Sequence, residues 1–507
     1  MNKEYGIPLL IIILLAVAYV SFLDGYPAIT GDQTHYLLLG QSLALGQGYR
    51  ELWTPQQDIH SKYPVFYPLV LAGIILLRGL DFFLIRLVNF AFLAAGLYAL
   101  YYLIRGKAGI FASLAVLIFT ATHPAVAWST YHIFTEIPYL CLTLASLVFV
   151  ERYSREEKLL SLNALAAAVC IAAAWHTRLA GASLLGAVFL FLIAGRGFGS
   201  GRLRARRALV VLSPAIISMT AWLFFNAFLK QTPSDYFGHY LSCPASAQCR
   251  LKLGMGIVRN IYSYIFYSFP YASSGMVFLR RNLFAVIISL LVLTGFCHHF
   301  LRKRRAMDYY VAVYCVFMLG FWDMSFSRRY IIPLIPFLFY YFLNGGLLTA
   351  RRLGAGGYLS RFRLRIFLSL LLLAAAIRFG FFITDEYRYR DYTAAQGEDF
   401  LAATRWIREN THTSELVMGL NPPDIYAYTG RASVFIPLTP LTGAQRAGYI
   451  ISNKVGYILT SSVYNIHGEI LGKTCVEPLL NARYDNITLI ERFRQAEDAV
   501  YEVRLDF

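Results

Sequence analysis

Charged residues are scarce in this sequence, and their scarcity excludes an ordinary soluble protein. Asp, Glu, Lys and Arg make up 15% of the 507 residues, whereas hydrophobic residues make up 57% and the mean hydropathy is +0.52. A soluble domain carries roughly 25% charged residues. Apolar runs approach the length of about 20 residues that a membrane helix needs. We therefore expect an integral membrane protein with many spans.

Acidic residues are scarcer than basic ones, and the imbalance is confined to the apolar part of the chain. The sequence has 46 Lys and Arg against 29 Asp and Glu, a net charge of +17. Residues 1–384 hold 34 basic and 13 acidic residues, whereas residues 385–507 hold 12 and 16. The basic residues cluster in short loops between apolar runs, which is typical of orientation signals. This distribution disfavours nucleic acid as a partner.

Cysteine is also rare, and the seven cysteines form no pair with zinc-finger spacing. Two of them, Cys243 and Cys249, share a polar loop that we expect outside the cell membrane, where an oxidising compartment would allow a disulfide. The remaining cysteines in apolar runs are expected to be packed thiols. No small-residue cleavage site follows the first apolar run, which is therefore expected to be an uncleaved first span.

The apolar runs predict eleven spans, and thirteen would give the same sidedness. The basic loops between them must be cytoplasmic, which puts the N-terminus inside and the C-terminal domain outside. The apolar segment 65–80 would break the alternation of loops and is expected to be interfacial or re-entrant. The predicted spans are 7–23, 82–104, 108–127, 137–151, 160–175, 179–195, 208–229, 282–300, 308–324, 330–349 and 366–384.

From residue 385 the residue pattern predicts a small α/β domain. Residues 397–410 have helical periodicity, and short β-rich runs follow at 416–420, 456–460, 487–490 and 500–505. We expect two domains, a membrane domain of residues 1–384 and an extracytoplasmic α/β domain of residues 385–507. The second domain shows no catalytic constellation and is expected to cover the site or to recognise an acceptor.

The first outer loop, residues 24–68, is the most informative stretch of the membrane part. Leucines and Tyr36 recur at near-helical spacing after Asp32, which predicts an amphipathic helix on the membrane surface with Asp32 at its start. A carboxylate is favoured there because free backbone N–H groups and the helix dipole face it. Such a group suits chemistry on a lipid-linked substrate.

Further ionisable residues lie at the outer ends of spans, where they are costly unless they are paired or hydrated. Glu136 begins one span, Arg178 precedes another, and Arg328 and Arg329 precede a third. Arginine and glutamate at helix ends often only reach for the lipid headgroups. Because both signs of charge occur on one predicted face, we favour a functional site.

These residues belong to motifs that resemble the GT-C membrane glycosyltransferases, in particular the protein O-mannosyltransferase-like and aminoarabinose transferase-like families. The resemblance covers the whole membrane part and rests on the order and sidedness of several short motifs. They are Gly31-Asp32-Gln33-x-x-Tyr36, Gly46-x-Gly48-Tyr49, Lys62-Tyr63-Pro64, Thr135-Glu136-x-Pro138, Thr177-Arg178-x-x-Gly181 and Arg329-Tyr330-x-x-Pro333-x-x-Pro336.

The resemblance implies transfer of a sugar from a polyprenyl-phosphate carrier to a hydroxyl acceptor on the outer face of the inner membrane. It assigns Asp32 as the general base and Glu136 as a second catalytic residue that orients the acceptor or helps to bind a metal. The leaving phosphate needs positive charge rather than an acid. Guanidinium groups pair well with phosphate. The implied phosphate-binding residues are Lys62, Arg178, Arg329 and Tyr330.

The chain departs from these families at two places. Many mannosyltransferase relatives have an acidic pair where this chain has Asp32-Gln33. Aminoarabinose transferases have a Glu before the proline of the Ser61-Lys62-Tyr63-Pro64 segment. Asp58, His60 and His239 are candidate ligands that would compensate by binding a divalent metal, which is the only cofactor considered.

Two other functions compete with the enzyme. A transporter or flippase for a lipid-linked saccharide would favour polar residues at mid-membrane depth and inverted repeats, and the sequence shows no repeat. A non-catalytic scaffold would not need Asp32, Glu136 and the two arginines. The expected partners of the enzyme are a polyprenyl-phosphate sugar, a lipid, glycan or protein acceptor, and membrane lipids.

Overall fold

The computed structural model of the chain describes residues 3–20, 31–195, 200–229, 247–274, 283–319, 328–353, 361–436, 443–461, 487–495 and 498–505. The chain divides into two compact units. The membrane unit comprises Met1–Asp24, Ser61–Tyr67 and Phe83–Phe381, and the sheet unit comprises Gly25–His60, Pro68–Phe82 and Phe382–Phe507. The sequence did not predict that most of the first loop would fold with the C-terminal segment. The domain boundary at residue 384 stays a prediction.

Helices make up most of the described chain, as predicted. In chain order they are α1 (Lys3–Val20), α2 (Asp32–Ala44), α3 (Phe66–Arg78), α4 (Phe82–Ala121), α5 (Pro124–Tyr131), α6 (Glu136–Tyr153), α7 (Leu162–Thr177), α8 (Gly181–Ala194), α9 (Gly201–Leu229), α10 (Ala247–Ser263), α11 (Phe269–Ser274), α12 (Leu283–Arg302), α13 (Ala306–Leu319), α14 (Ile335–Arg352), α15 (Arg361–Asn410), α16 (Pro422–Thr429) and α17 (Gly443–Ser452). A π-helical turn, Tyr264–Ser268, joins α10 to α11, and a 3₁₀ helix, Arg328–Leu334, precedes α14.

The apolar helices confirm an integral membrane protein. Within the described ranges, four helical segments are long and apolar enough to cross a membrane: Phe82–Ala121, Gly201–Phe225, Leu283–Arg302 and Arg329–Arg352. A fifth is gained if α5 and α6, which meet at 115°, are counted as one broken span. Five further apolar helices are shorter, among them α3, whose 13 residues are too few for a bilayer. The number of spans and their orientation stay predictions.

Glycines permit a helix break and a close helix crossing in the membrane unit. Helix α4 covers two of the predicted spans, and its backbone leaves the helical conformation at Gly109, where φ is 79°. Helices α12 and α14 cross closely at Gly295 and Gly345. A Cβ atom at Gly295 would lie 2.0 Å from the carbonyl oxygen of Tyr341, and one at Gly345 would lie 1.9 Å from that of Leu291. Small residues permit such close helix contact in membranes.

The sheet unit contains a five-stranded mixed sheet with the order β2-β1-β3-β5-β4. Its strands are β1 (Val417–Gly419), β2 (Ser433–Phe435), β3 (Tyr457–Thr460), β4 (Ile487–Gln495) and β5 (Asp498–Leu505). The first three are parallel, and β5 and β4 are antiparallel. The four predicted β-rich runs correspond to β1, β3, β4 and β5, and the small C-terminal α/β domain is confirmed.

Helices cover both faces of this sheet. On one face, the end of α15 and helix α16 contribute Phe400, Ile407 and Ile425, which pack with residues of β1, β3 and β5. On the other face, α17 contributes Ala447 and Ile450. Burial of this apolar surface holds the layers together. Helix α16 ends at Gly430, whose φ of 70° forms a left-handed cap.

Helix α2 begins at Asp32 as predicted, but it does not have the exposed polar face of a surface helix. Gln33, Thr34 and Ser42 are as buried as its leucines. Gly40 permits close contact with α3, because a Cβ atom there would lie 2.9 Å from the Cβ of Leu71. The leucine spacing thus correctly predicted a helix, but not that most of the polar positions between the leucines would be buried.

The crossing of α12 and α14 gives a stability prediction. Gly345→Val should lower the free energy of unfolding by about 3 kcal/mol, near the upper end of overpacking costs, because the new side chain would push against the backbone of α12. Gly346→Val is the matched control, since no atom lies within 4 Å of a Cβ at Gly346. Thermal unfolding in detergent measures both variants, and equal midpoints would contradict the close crossing.

Candidate functional site

The candidate site of the membrane unit is built around the break between α5 and α6. Residues 132–135 separate the two helices. Asn89, fully buried in α4, donates from Nδ2 to the carbonyl oxygen of His132 at 2.7 Å and accepts from the hydroxyl of Tyr67 at 2.9 Å. A buried amide thus satisfies a backbone oxygen that the interrupted helix leaves without its usual partner. The break is therefore stabilised by specific hydrogen bonds.

Glu136, the first residue of α6, is the centre of the site. Its side chain is fully buried, and its Oε1 lies 2.6 Å from Nη1 of Arg178 and 2.5 Å from Nε of Arg329. One carboxylate oxygen thus receives two guanidinium groups from distant parts of the sequence. The position at a helix N-terminus also favours a negative charge. The structure brings together three of the residues that the sequence predicted.

Arg178 reaches Glu136 from the turn between α7 and α8. Its backbone is extended, with φ −150° and ψ 142°, and its Nη1 also donates to Oγ1 of Thr135 at 2.9 Å. The turn is tight because α8 starts at Gly181, where a Cβ atom would lie 2.5 Å from Cα of Trp175. The glycine of the Thr177-Arg178-x-x-Gly181 motif therefore allows the backbone approach that positions the arginine.

Arg329 reaches Glu136 from the 3₁₀ helix before α14. Its guanidinium lies 4.0 Å from the ring centroid of Phe134, a residue of the break. The adjacent Tyr330 presents its ring to Arg178 at 5.6 Å, and the carbonyl oxygen of Tyr330 accepts a hydrogen bond from Tyr314. Aromatic faces stabilise guanidinium groups while leaving their N–H edges accessible. Aromatic residues thus help to orient both arginines.

The charges of this cluster suit an anionic ligand. Glu136, Arg178 and Arg329 together carry one excess positive charge, and the two guanidinium side chains remain 14% and 24% exposed. Within the described residues, Oε2 of Glu136 is buried without a hydrogen-bond partner. The arrangement therefore offers guanidinium donors to a phosphate, and it leaves one buried carboxylate oxygen with the capacity to accept a hydrogen bond.

The sheet unit holds Asp32 at the start of α2. The preceding Gly31 has φ 64°, and its N–H lies 3.2 Å from both carboxylate oxygens of Asp424. Asp424 is fully buried in the first turn of α16 and also accepts from Nδ2 of Asn421 at 2.8 Å. A hydrogen bond to an ionised group is stronger than a neutral one. Asp424 thus fixes the backbone immediately before Asp32.

The structure gives the other predicted residues less distinctive surroundings. Lys62 belongs to the membrane unit, with its ammonium 5.2 Å from the ring centroid of Tyr63. Its role in binding phosphate stays a prediction. Asp58 is exposed in the sheet unit. His239 and the cysteine pair Cys243 and Cys249 lie where the side chains are outside the described part of the chain.

His60 is paired with a carboxylate and packs against an aromatic ring. Its Nδ1 lies 2.9 Å from Oε1 of Glu51, and its ring packs edge-on against Tyr49. Burial raises the pKa of the Tyr49 phenol, and the nearby Glu51 adds to this effect. Across the described ranges, no group of three or more His, Cys, Asp or Glu is placed to hold a metal ion. Metal binding by Asp58, His60 or His239 stays a prediction.

Sequence reasoning missed Asn89 and Asp424. Asn89 had a usable signal, since an amide inside an apolar run is rare and costly in a membrane. Asp424 follows Asn421-Pro422-Pro423, which predicts only the start of a helix. Nothing in the sequence pairs this carboxylate with a backbone N–H 393 positions away.

No protein-family model and no curated protein sequence matches this chain. Solved structures do match it. ArnT from Cupriavidus metallidurans bound to undecaprenyl phosphate is 12% identical, with a TM-score of 0.59 over 97% of each chain. The archaeal oligosaccharyltransferase AglB from Archaeoglobus fulgidus, in complex with an inhibitory peptide and a dolichol-phosphate, is 13% identical. Its TM-score is 0.58, over 99% of this chain and 74% of AglB.

At these identities the likeness shows the fold rather than the activity. It extends over nearly the whole chain, including the C-terminal unit. The apolar helices agree with it. The chain is an integral membrane protein with the GT-C fold of membrane glycosyltransferases.

Proposed function

We propose that this protein is a glycosyltransferase that moves a sugar from a polyprenyl-phosphate carrier to a hydroxyl acceptor on the extracytoplasmic face of the cell's inner membrane. The observation that carries the proposal is the pairing of Arg178 and Arg329 with buried Glu136 at a broken span. The similar structures bind undecaprenyl phosphate in ArnT and dolichol-phosphate with an inhibitory peptide in AglB. A phosphate-linked lipid donor fits the excess positive charge.

In the proposed reaction the acceptor oxygen attacks the anomeric carbon of the donor sugar. The bond between that carbon and the phosphate oxygen breaks, and the polyprenyl phosphate leaves with the bonding electron pair. Arg178 and Arg329 stabilise the negative charge on the leaving phosphate, so that no general acid is needed. Lys62 and Tyr330 are proposed to assist in binding the phosphate.

We propose that Asp32 is the base that takes the proton from the hydroxyl group of the acceptor. A base has to be ionised and within hydrogen-bond reach of the hydroxyl group that it deprotonates. The position of Asp32 at the start of α2 favours the ionised form, because backbone N–H groups face a carboxylate there. Glu136 holds the two arginines through Oε1, and its Oε2 is free to accept a hydrogen bond from the acceptor.

The first test is sugar transfer by the purified full-length protein in nanodiscs. A panel of polyprenyl-phosphate sugars is supplied together with lipid, glycan and peptide acceptors. Release of polyprenyl phosphate together with a glycosylated acceptor supports the proposal and identifies the sugar. If the protein moves the lipid-linked sugar across the bilayer without breaking the bond to phosphate, the proposed reaction is wrong and transport replaces it.

Arg329→Gln and Arg178→Gln should each lower kcat/KM by about 10²–10³, the usual effect of removing one donor to a developing anion. Single-turnover kinetics with a fixed donor measure the change. Arg378→Gln is the matched control, because Arg378 is also half-buried in the membrane unit but donates to the carbonyl oxygens of Ser274 and Thr122. An equal loss in the control would show that the effect is structural.

Asp32→Asn should lower the rate of transfer by about 10²–10⁴ while donor affinity is retained. The wild-type rate should fall at low pH as the base becomes protonated, and this acid limb should be absent from the residual activity of the variant. Rates from pH 4 to 9 and donor binding are measured on the same preparation. Turnover equal to that of the wild type would remove Asp32 from the chemistry.

Asp424→Asn tests whether the buried carboxylate positions the start of α2. The amide cannot match the charge-assisted bonds to the Gly31 N–H, so kcat should fall by about tenfold with little change in the KM for the donor. Asp498→Asn is the control, since Asp498 is equally buried in the same unit and bonds Ser461 instead. A fall in kcat of similar size in the control would assign the effect to general loosening of the sheet unit.

A further inference from the structure

A second concentration of positive charge lies in the membrane unit at residues that the proposed reaction does not use. It surrounds a cavity of ≈ 370 Å³ between the middle of α4, the end of α6 and the turn before α13. Five basic side chains line it, against the single carboxylate of Glu151. They are Arg105, Lys107, Arg152, Arg155 and Arg305.

An ion pair between Lys107 and Glu151 lines this basic cavity. Nζ of Lys107 donates to Oε1 of Glu151 at 3.1 Å and to the carbonyl oxygen of Leu103 at 2.6 Å, and the Lys107 side chain is only 7% exposed. Glu151 therefore compensates the buried ammonium. Among the residues that line the cavity Glu151 is the one acidic residue, so the lining carries a net positive charge.

One arginine of the rim, Arg152, is oriented by the side chain of Tyr102. The guanidinium of Arg152 lies 4.3 Å from the ring centroid of Tyr102, and its Nε bonds the hydroxyl of Tyr102 at 3.3 Å. Four like charges around one concavity repel each other, and a bound anion relieves that repulsion. Arginine forks are well suited to the oxygens of phosphate.

The location indicates the source of the anion. Arg105 and Lys107 follow the predicted span 82–104, and Arg152 and Arg155 follow the predicted span 137–151, at ends that the sequence predicts to be cytoplasmic. Basic pockets between membrane helices on the cytoplasmic side are typical sites for acidic lipid headgroups. Leu103 and Val148 add apolar surface to the same cavity, as a lipid at the membrane boundary requires.

We propose that this basic cavity binds a phosphate group, supplied by the headgroup of an anionic phospholipid of the cytoplasmic leaflet. The proposal concerns binding alone and does not depend on the transferase reaction. A soluble phosphate or pyrophosphate has the same chemistry, so the experiment has to distinguish the two sources.

The test uses the full-length protein in neutral detergent with dioleoylphosphatidylglycerol, dioleoylphosphatidylcholine or inorganic pyrophosphate added in turn. Native mass spectrometry measures retained lipid, and thermal unfolding measures stabilisation. Phosphatidylglycerol should be retained by the wild type and raise its Tm, because a ligand that binds the folded state stabilises it. Phosphatidylcholine, which has no net charge, should do neither.

The variant Arg105→Gln/Arg305→Gln should bind phosphatidylglycerol about tenfold more weakly, since each basic residue near a lipid surface contributes to attraction. Arg302→Gln/Lys303→Gln is the matched control. It removes the same charge from exposed residues at the end of α12 that do not line the cavity. The control should retain the lipid, and Arg105→Lys/Arg305→Lys should restore most of the binding if the charge is what matters.

Stabilisation by pyrophosphate with the same dependence on variants, but no retention of phosphatidylglycerol, would overturn the lipid source and leave a soluble phosphate site. Equal lipid retention by the cavity variant and the control would overturn the site itself, since bulk surface charge would then explain the binding. If Arg105→Gln/Arg305→Gln fails to fold, Arg155→Gln is tested in its place as the variant expected to lose binding. Arg105→Lys/Arg305→Lys then serves as the comparison that keeps the charge.

Discussion

The membrane unit depends on one buried carboxylate. Glu136 is fully buried, and a lone charge there would cost several kcal/mol of desolvation. Arg178 and Arg329 compensate that charge only if the break after α5, the turn after α7 and the 3₁₀ helix before α14 each have the observed form. One ion cluster therefore ties three interruptions of the apolar helices to a single geometry, because each of its three members comes from a different interruption.

The sequence indicated this cluster because ionisable residues at the ends of apolar runs are conspicuous. Glu136, Arg178 and Arg329 could each be selected individually, and the predicted sidedness placed them on one face. Their contacts could not be predicted, since the residues are separated by up to 193 positions and the distances depend on how the helices pack. The sequence also did not predict that both arginines would bond the same oxygen of one carboxylate. Through this oxygen Glu136 positions both arginines.

In the sheet unit the predictable part was secondary structure. Short β-rich runs predicted four strands, and the capping position of Asp32 predicted where α2 begins. The three-residue strand β2 was missed because Ser433–Phe435 is too short to show alternation. The contact of Asp424 with Gly31 was missed for a different reason, since it joins a side chain to a backbone N–H, and every residue except proline has that group.

The candidate residues of both units share a physical setting, which explains why the local motifs are weak while the fold is clear. Asp32, Glu136 and Arg178 each lie where a helix begins or ends, so their positions depend on backbone groups and on glycines such as Gly31 and Gly181. The long apolar helices need only hydrophobic residues of suitable size, and many sequences satisfy that requirement. Interruptions are costly in a membrane unless polar groups compensate them, as Asn89 does for His132. In a sequence of this kind, candidate functional residues are therefore best sought where apolar runs are interrupted.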